Sequence, residues 1–398
     1  MPVRASLIAD CVCAYAARLH AAIGARHHVA SPLGAWLLLA LAGPASSATS
    51  RDTLTKVLGC DIGTASDAAA ELLADPQPAV ASAAAVWTAA GAALSPEFGR
   101  WSARLPPEVT TGDLPSRAEL DAWATEHTFG LIDRFPVRDD GLYLLLASAL
   151  ATKVSWQRPF ELRPAASLGR ASPWASRIRQ VLRTPSGPAQ GGHIQFIASS
   201  PEAGDVIVHM ASAVDDLVVV SVAATPHVAC DRVLSVAHRI GIRLATGQSL
   251  DRRQLAELPL GEGPLWLLRE VTAPADSCVA VLPAWSAQSE HDLSAPALGF
   301  AAAKEALVSG ADPWQARQAA MARYTRTGFE AAAMSALAVP IAMRRSGTRR
   351  QAELRFGHPY AVVALTTAGT RTGSPWHGLP VFSAWVTEPD DATLDGTG

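Results

Sequence analysis

A run of small residues between positions 328 and 345 is the feature that most constrains how this 398-residue chain folds. It opens with Gly328, continues through an alanine-rich stretch and ends in two arginines. Alanine, leucine and methionine are good helix formers, so the run is compatible with a helix. In a strand, alternate residues from Phe329 onward form one uncharged face that fits between other strands. Short apolar runs do not distinguish the two conformations, and both stay open on these residues alone.

The segments on either side favour the strand. Residues 318–327 precede the run, and the sequence Phe-Gly-His-Pro-Tyr at 356–360 follows it and leads into an apolar β pattern. A proline turn before such a pattern is typical of a strand entrance. The order is therefore strand, glycine, alanine-rich hinge, exposed loop and strand.

Composition excludes several classes of partner and activity. The chain is 49% hydrophobic and 17% charged, which predicts a globular protein with a large core. A net charge of −3 gives no reason to expect nucleic acid or an anionic membrane as a partner. No catalytic, nucleotide-binding or zinc motif is present, so we expect no enzyme activity, cofactor or metal. The five scattered cysteines predict buried free thiols, and the adjacent His27 and His28 predict a surface or capping pair.

The pattern along the chain predicts alternating helices and strands within one domain. Ser31 and Pro32 predict a capped and deeply buried helix, and Gly59 ends the next helix. Other predictions are a helix at 6–25, a helix at 66–74, a strand at 83–87, a surface loop at 170–192, strands at 204–210 and 217–223, and a helix at 230–244.

Further motifs occur in a fixed order along residues 6–390. The buried pattern at 144–152 runs into Lys153, Trp156 and Pro159-Phe160, and the chain closes on an apolar strand followed by Pro389. Taken with the hinge, these motifs resemble the serpins, a family of suicide-substrate inhibitors of serine proteases. The arginine-rich, asparagine-free composition gives the chain the look of a bacterial member.

The resemblance implies an α+β serpin fold with three β-sheets, about eight or nine helices and an exposed reactive-centre loop. We expect a single domain over residues 1–398, with that loop at about 328–355, and a monomer. The helix near 66–74 is acidic, so no sulfated-polysaccharide site is expected. Family habit implies an extracellular protein. No signal peptide is recognisable at the N-terminus, which keeps a cytoplasmic location open.

The resemblance also assigns a hinge and a sheet gate. Phe329 stands where the family usually has Thr or Ser, so it is expected to hinder loop insertion; a non-inhibitory carrier, chaperone or protease substrate is therefore the alternative function. The hinge residues are Gly328, Phe329, Glu330, Ala331, Ala332, Ala333, Met334 and Ser335. The gate residues are Ser31, Gly34, Ser148, Trp156 and Gln318.

The bond that a target protease would cut follows from the loop sequence. Arg345–Ser346 suits a trypsin-like enzyme, whose acidic pocket recognises arginine. Counting from Gly328 in the family manner gives Ala342–Met343 instead, which suits elastase-like or subtilisin-like enzymes. We favour Arg345, with Arg344 and Ala342 as rivals. The alternative interpretation is a solvated basic loop that carries Arg344, Arg345, Arg349 and Arg350.

Overall fold

The structure is a computed structural model that describes residues 2–92, 94–136, 144–185, 191–308, 315–329, 347–368 and 373–393. Helices and strands contain similar numbers of residues, which confirms an α+β architecture. The helices in these residues are α1 (Pro2–Ile23), α2 (Pro32–Ala42), α3 (Ala48–Leu58), α4 (Ile62–Ala74), α5 (Phe98–Ser102), α6 (Arg117–His127), α7 (Cys230–Ala245) and α8 (Phe300–Leu307).

The strands have between two and nine residues. They are β1 (His28–Ala30), β2 (Ala81–Thr88), β3 (Val109–Asp113), β4 (Leu144–Ala151), β5 (Val154–Ser155), β6 (Glu161–Pro164), β7 (Gln180–Arg183), β8 (His193–Ser200), β9 (Gly204–Ser212), β10 (Leu217–Ala223), β11 (Gly261–Glu262), β12 (Trp266–Ala273), β13 (Ser277–Leu282), β14 (Trp285–Asp292), β15 (Arg317–Tyr324), β16 (Gly328–Phe329), β17 (Gly347–Arg355), β18 (Tyr360–Thr366) and β19 (Pro380–Val386).

The described strands form four groups. Two are six-stranded sheets, in the orders β1-β19-β18-β10-β9-β8 and β11-β12-β17-β13-β7-β6. The other two are β14-β15-β16-β5 and β3-β2-β4. Only Thr152 and Lys153 separate β4 from β5, so these two strands continue one another. The last two groups are therefore halves of one central sheet, which accounts for the three sheets expected.

Helix α2 lies at the centre of the core, as its sequence predicts. The Ser31 side chain accepts a hydrogen bond from the Gly34 amide, and Pro32 occupies the first turn, where its missing N–H costs nothing. Every residue of α2 is buried, and the helix packs against β4 and β19. The end of α3 at Gly59 is also confirmed, with a left-handed φ of 79°.

Helix α1 begins four residues earlier and ends two residues earlier than the helix predicted at residues 6–25. Over Arg4–Ile23 it has the length and composition of a membrane-crossing helix, with a mean hydropathy of 1.3. Its side chains are nevertheless used inside the protein: Val12, Tyr15 and Leu19 have no exposed surface. The helix packs against α2 and α7.

Two sequence predictions are wrong. Residues 170–192 are not simply a surface loop, because β7 lies within them and Trp174, Val181 and Leu182 are buried. Arginine, serine and proline around this short strand hid its two apolar residues. The histidine pair is not a surface pair either, since His28 is fully buried while His27 is partly exposed.

Buried histidines link several elements. The His20 ring of α1 hydrogen-bonds the His28 ring at 2.8 Å and the Ser383 hydroxyl of β19 at 2.6 Å. His291 of β14 hydrogen-bonds the Val29 carbonyl at 2.7 Å. Neither ring nitrogen of the buried His238 on α7 has a hydrogen-bond partner. Burial lowers the pKa of His238 to about 4, and burial likewise outweighs a backbone hydrogen bond in lowering the pKa of His28 to about 4.

These histidines predict a loss of stability in mild acid. An unfolded histidine takes up a proton near pH 6.5, whereas folded His238 does so only near pH 4. Unfolding therefore takes up protons between these values and becomes more favourable as the pH falls. At pH 5 one such histidine removes roughly 2 kcal/mol of the stability present at pH 7. Denaturant titrations at both pH values measure the difference.

The His238→Leu variant should lose about that share of the pH dependence, because leucine has no proton to gain. The exposed His227 gives the matched control, and His227→Leu should keep the full dependence. Equal pH dependence in the two variants would contradict the role assigned to the buried ring.

Candidate functional site

The structure describes only the first two of the predicted hinge residues. Gly328 and Phe329 form β16. The rest of the hinge lies outside the described residues, and so do all the reactive-bond candidates. Outside are Glu330, Ala331, Ala332, Ala333, Met334 and Ser335, and also Ala342, Met343, Arg344, Arg345 and Ser346.

Strand β16 already occupies a place in the central sheet. Phe329 pairs with Tyr324 of β15 on one side and with Val154 of β5 on the other, both antiparallel. A tight turn makes this return, in which the Thr325 amide donates to the Gly328 carbonyl at 2.9 Å. The Trp156 amide donates to the Thr327 carbonyl at 3.0 Å. The start of the hinge is thus fixed between the two halves of the sheet.

Phe329 sits in an aromatic pocket and is only 3% exposed. Its ring centroid lies 6.5 Å from that of Trp156 and 6.3 Å from that of Trp285. Tyr324 completes the pocket at 5.0 Å from Trp156, and burial raises the pKa of Tyr324 well above its ordinary value. The Trp156 indole N–H donates to the Thr325 carbonyl at 3.0 Å. Phe329 therefore already lies within the sheet, and the expectation that its side chain hinders loop insertion stays a prediction.

Below β16 the two halves of the sheet are separated by a cleft of about 120 Å³. Residues 144–150 of β4 line one wall and residues 317–319 of β15 the other. Among the described strands, only β2 pairs with β4. Because β16 lies between β15 and β5, those two strands are already two strand spacings apart, about 9.5 Å, at the upper end. A strand that continued β16 in its own direction would run down this cleft.

The floor of the cleft ties both walls to α2. The Gln318 amide group of β15 accepts a hydrogen bond from the Ser31 amide at 3.0 Å and donates to the Ser31 carbonyl at 2.8 Å. From the other wall, the Ser148 hydroxyl donates to the Gly34 carbonyl at 3.0 Å. A Cβ at position 34 would lie 3.2 to 3.3 Å from Ser31, Ser148 and Leu150, so the packing favours glycine there. Four predicted gate residues are therefore together, and Trp156 stands apart beside Phe329.

The predicted loop is too long at its C-terminal end. Residues Gly347–Arg355, taken as part of the loop, form β17 between β12 and β13. Arg350 is fixed there, since its guanidinium donates to the carbonyls of Leu255 and Leu258 at 2.7 Å each. It therefore does not belong to a solvated basic loop.

Sequence reasoning missed the partners of Phe329. Tyr324 and Trp285 were visible as aromatic residues near strand ends, but nothing local indicated that they meet. Across the described residues, no group of three or more His, Cys, Asp or Glu side chains could hold a metal ion.

Comparisons with known proteins give the fold. No protein-family model and no curated protein sequence matches the chain. Solved structures match over nearly its whole length. Thyroxine-binding globulin in complex with thyroxine matches with a TM-score of 0.64 at 10% identity, covering 96% of this chain and 99% of the other.

Two structures described as serpins match in the same way. The native thermophilic serpin tengpin matches with a TM-score of 0.64 at 12% identity, covering 96% of this chain and 93% of its own. Serpin48 of the insect Tenebrio molitor matches with a TM-score of 0.59 at 14% identity, covering 97% and 99%. The chain is an α+β protein in which, among the described strands, β16 joins the two halves of the central sheet at one end only. It has the serpin fold.

The aromatic pocket predicts that Phe329 stabilises the uncut protein. Truncating a buried phenylalanine leaves a cavity, so Phe329→Ala should lower the free energy of unfolding by about 3–5 kcal/mol in a denaturant titration. Phe129 is 48% exposed and offers a matched control. Phe129→Ala should change stability by no more than about 0.5 kcal/mol. Similar small losses in both variants would mean that the Phe329 ring is not packed as described.

Proposed function

We propose that this protein inhibits serine endopeptidases by trapping them as a covalent acyl-enzyme. The protease cuts the segment that follows β16, and that segment then enters the cleft between β4 and β15 as a new strand. Serpin loop insertion of this kind is an established example of strand addition that releases stored strain. The proposal rests on the serpin fold together with the geometry at the hinge.

The observation that carries the proposal is the position of β16. It is seated at the upper end of the cleft, runs antiparallel to both flanking strands, and holds them at the spacing that one more strand requires. Strands β4 and β15 each have eight residues, so about eight residues after Phe329 would fill the space between them.

The side-chain alternation of a strand then assigns a face to each following residue. Phe329 points into the core, so the residues at 331, 333 and 335 would point the same way. They are Ala, Ala and Ser, which are small enough to lie over the floor formed by α2. Positions 330, 332 and 334 would face the other side of the sheet, where Glu330 keeps access to water.

Trapping requires that insertion outrun hydrolysis. The serine hydroxyl of the target attacks the scissile carbonyl, the new amine leaves, and an ester joins the protease to the hinge segment. Strand insertion pulls on that ester and displaces the catalytic groups of the protease. Loss of a single oxyanion-hole donor slows such a reaction by about 10²–10³. A distorted site would therefore leave the ester intact.

Two features decide which bond is attacked. Recognition of arginine favours Arg345–Ser346 or Arg344–Arg345 and a trypsin-like target. The strand β17 begins at Gly347, however, and cleavage at Ala342–Met343 leaves more residues between the cut and that strand. That bond suits elastase-like or subtilisin-like enzymes. We favour cleavage after Arg345, and the masses of the released fragments discriminate among cleavage after Arg345, Arg344 and Ala342.

The test mixes the protein with trypsin-like and elastase-like enzymes and separates the products on denaturing gels. We expect a covalent complex that survives SDS, and a released C-terminal fragment whose mass identifies the bond. A nicked protein without complex, with each enzyme, would contradict inhibition and support a protease substrate or carrier.

Two hinge variants make the test specific to insertion. Ala333→Arg would bury an unpaired charge beneath the new strand, so it should still be cleaved but give at least about tenfold less complex. Ala332→Arg carries the same change one residue earlier, on the outward face, and should keep most of the complex. Equal effects of the two variants would contradict insertion in the register set by Phe329.

A carrier function has one observation in its favour. A cavity of about 580 Å³ lies between α1 and α7, lined by His20 and by His238 with its two unpartnered ring nitrogens. Arg239 and Arg243 also line it, together with Asp10 and Asp231, and Arg239 is already paired with Glu202 at 2.6 Å. A small aromatic acid that pairs with Arg243 would suit this lining. The matching thyroxine-binding globulin was solved with thyroxine.

Titration with a fluorescent aromatic carboxylate tests this alternative. Binding that His238→Leu weakens about tenfold, and that the exposed His227→Leu leaves unchanged, would support a carrier. Absence of saturable binding, or equal affinity in both variants, would contradict the carrier function.

A further inference from the structure

Three hydrogen bonds to the turn before β16 come from one short segment, which runs from Trp156 to Phe160 and which we call the clamp. The Trp156 amide donates to the Thr327 carbonyl at 3.0 Å, and the indole N–H of the same residue donates to the Thr325 carbonyl at 3.0 Å. The Phe160 amide donates to the Arg326 carbonyl at 2.9 Å. Because three consecutive carbonyls of the turn are bonded to the clamp, the position of β16 depends on the position of the clamp.

A pair of buried histidines holds the middle of the clamp. His193 of β8 donates from Nε2 to the Arg158 carbonyl at 2.8 Å, and its Nδ1 lies 3.1 Å from Nε2 of His209 on β9. The two imidazole rings are stacked, with centroids 5.3 Å apart. The His193 ring also lies 4.6 Å from the ring of Phe160. His193 therefore contacts the clamp both through its backbone and through an aromatic side chain.

These hydrogen bonds fix which ring nitrogens carry a proton. A carbonyl oxygen only accepts, so His193 carries its proton on Nε2 and accepts at Nδ1. His209 must then carry its proton on Nε2, and its unprotonated Nδ1 has no hydrogen-bond partner among the described residues. A second proton on His193 would set two N–H groups against each other across 3.1 Å. The arrangement is therefore stable only while both rings are neutral.

The surroundings of the pair also oppose a positive charge. His193 is 6% exposed, and His209 has no exposed surface. Burial lowers the pKa of His193 to about 4 in spite of its bond to the Arg158 carbonyl, and the charge of Arg158 acts in the same direction. Burial also lowers the pKa of His209, and the neighbouring ring of His193 adds to this effect. The other elements packed here contribute the Ser221 hydroxyl of β10, opposite His209, and one ring further away the neutral Tyr324 of β15.

We propose that His193 is a pH switch for the hinge strand β16. When His193 takes up a proton from the solvent, its ring leaves the Arg158 carbonyl for water. The clamp then loses this hydrogen bond and the packing of the ring on Phe160, and the turn before β16 is released. The inference concerns the uncut protein and is independent of the proposed protease inhibition.

The direction of the pH effect follows from the two states of His193. With the clamp in place the ring takes up a proton only at about pH 4, whereas a histidine ring in water does so near pH 6.5. Release therefore takes up a proton between these values and becomes more favourable as the pH falls. Between pH 7 and pH 5 the fraction of molecules with β16 released should rise about twentyfold.

Hydrogen exchange of the uncut protein measures this release, because amides exchange when their segment opens locally. We expect the protection of residues 325–329 to fall about twentyfold between pH 7 and pH 5, after correction for the intrinsic effect of pH on exchange. Exchange of β18, in the middle of its sheet, reports global unfolding. It should stay slower than that of β16 at both pH values.

Three variants separate the switch from general acid sensitivity. His193→Gln keeps an amide donor for the Arg158 carbonyl but has no proton to gain, so the protection of β16 should change by no more than about twofold. His193→Leu removes the donor and should release β16 already at pH 7. His238→Leu replaces a buried histidine whose pKa is also lowered to about 4, and it should keep the wild-type fall at β16.

The exchange of the wild-type protein does not depend on any variant folding. Unchanged protection of β16 between pH 7 and pH 5, or equal exchange of β16 and β18, would overturn the proposal. So would a full wild-type fall in His193→Gln, wild-type protection of His193→Leu at pH 7, or loss of the fall in His238→Leu.

Discussion

The facing edges of β4 and β15, which pair with no other described strand along the cleft, are the constraint on which the rest of this structure depends. A strand in the middle of a sheet needs partners on both sides, because a buried amide or carbonyl without a hydrogen bond is costly. Among the described strands, β4 has a partner only on its β2 side, and β15 pairs with β16 through a single residue. A sheet divided in this way favours the addition of one more strand. Strand β16 has only two residues, but it keeps β15 and β5 apart at one end of the cleft.

The residues packed around the cleft between β4 and β15 would suit the addition of a strand there. Phe329 is fixed by Trp285 of β14, by its pairing partner Tyr324 of β15 and by Trp156, which directly follows β5, so the predicted hinge has a firm starting point. The floor is a helix with no exposed residue, and it contacts the two walls through Gln318 and Ser148. An anchor at the top and a rigid floor below define a track between them. In the proposed insertion, the entering residues would have to be small on the inward face, as Ala331, Ala333 and Ser335 are.

The parts of the fold that follow from local patterns could be predicted from sequence, and the parts that depend on distant contacts could not. Ser31 and Pro32 identified the start of α2, and Gly59 identified the end of α3, because caps act over three or four residues. The aromatic pocket joins Phe329 to Trp156, which is far away in sequence, and no pattern around either residue indicates the contact. For the same reason the sequence alone did not show that Phe329 already lies within the sheet. The strand β7 was missed for a different reason, since a four-residue strand offers too short a period to recognise.

The hydrogen bonds between Gln318 and Ser31 beneath the cleft do not depend on pH, whereas those of the buried histidines around the sheet do. Gln318 satisfies both the amide and the carbonyl of Ser31 with a neutral group, so this tie keeps the same strength as the pH changes. Hydrogen bonds of the buried histidines join α1, β1, β14 and β19. Protonation of these histidines lowers the stability of the folded protein. Mild acid therefore weakens the support of the sheet without releasing the tie itself. Breaking the tie costs about 1–3 kcal/mol, which corresponds to about one or two factors of ten in rate. In the proposed mechanism strand addition has to cross this barrier faster than the still intact protease hydrolyses the ester, because the oxyanion hole is lost only after insertion.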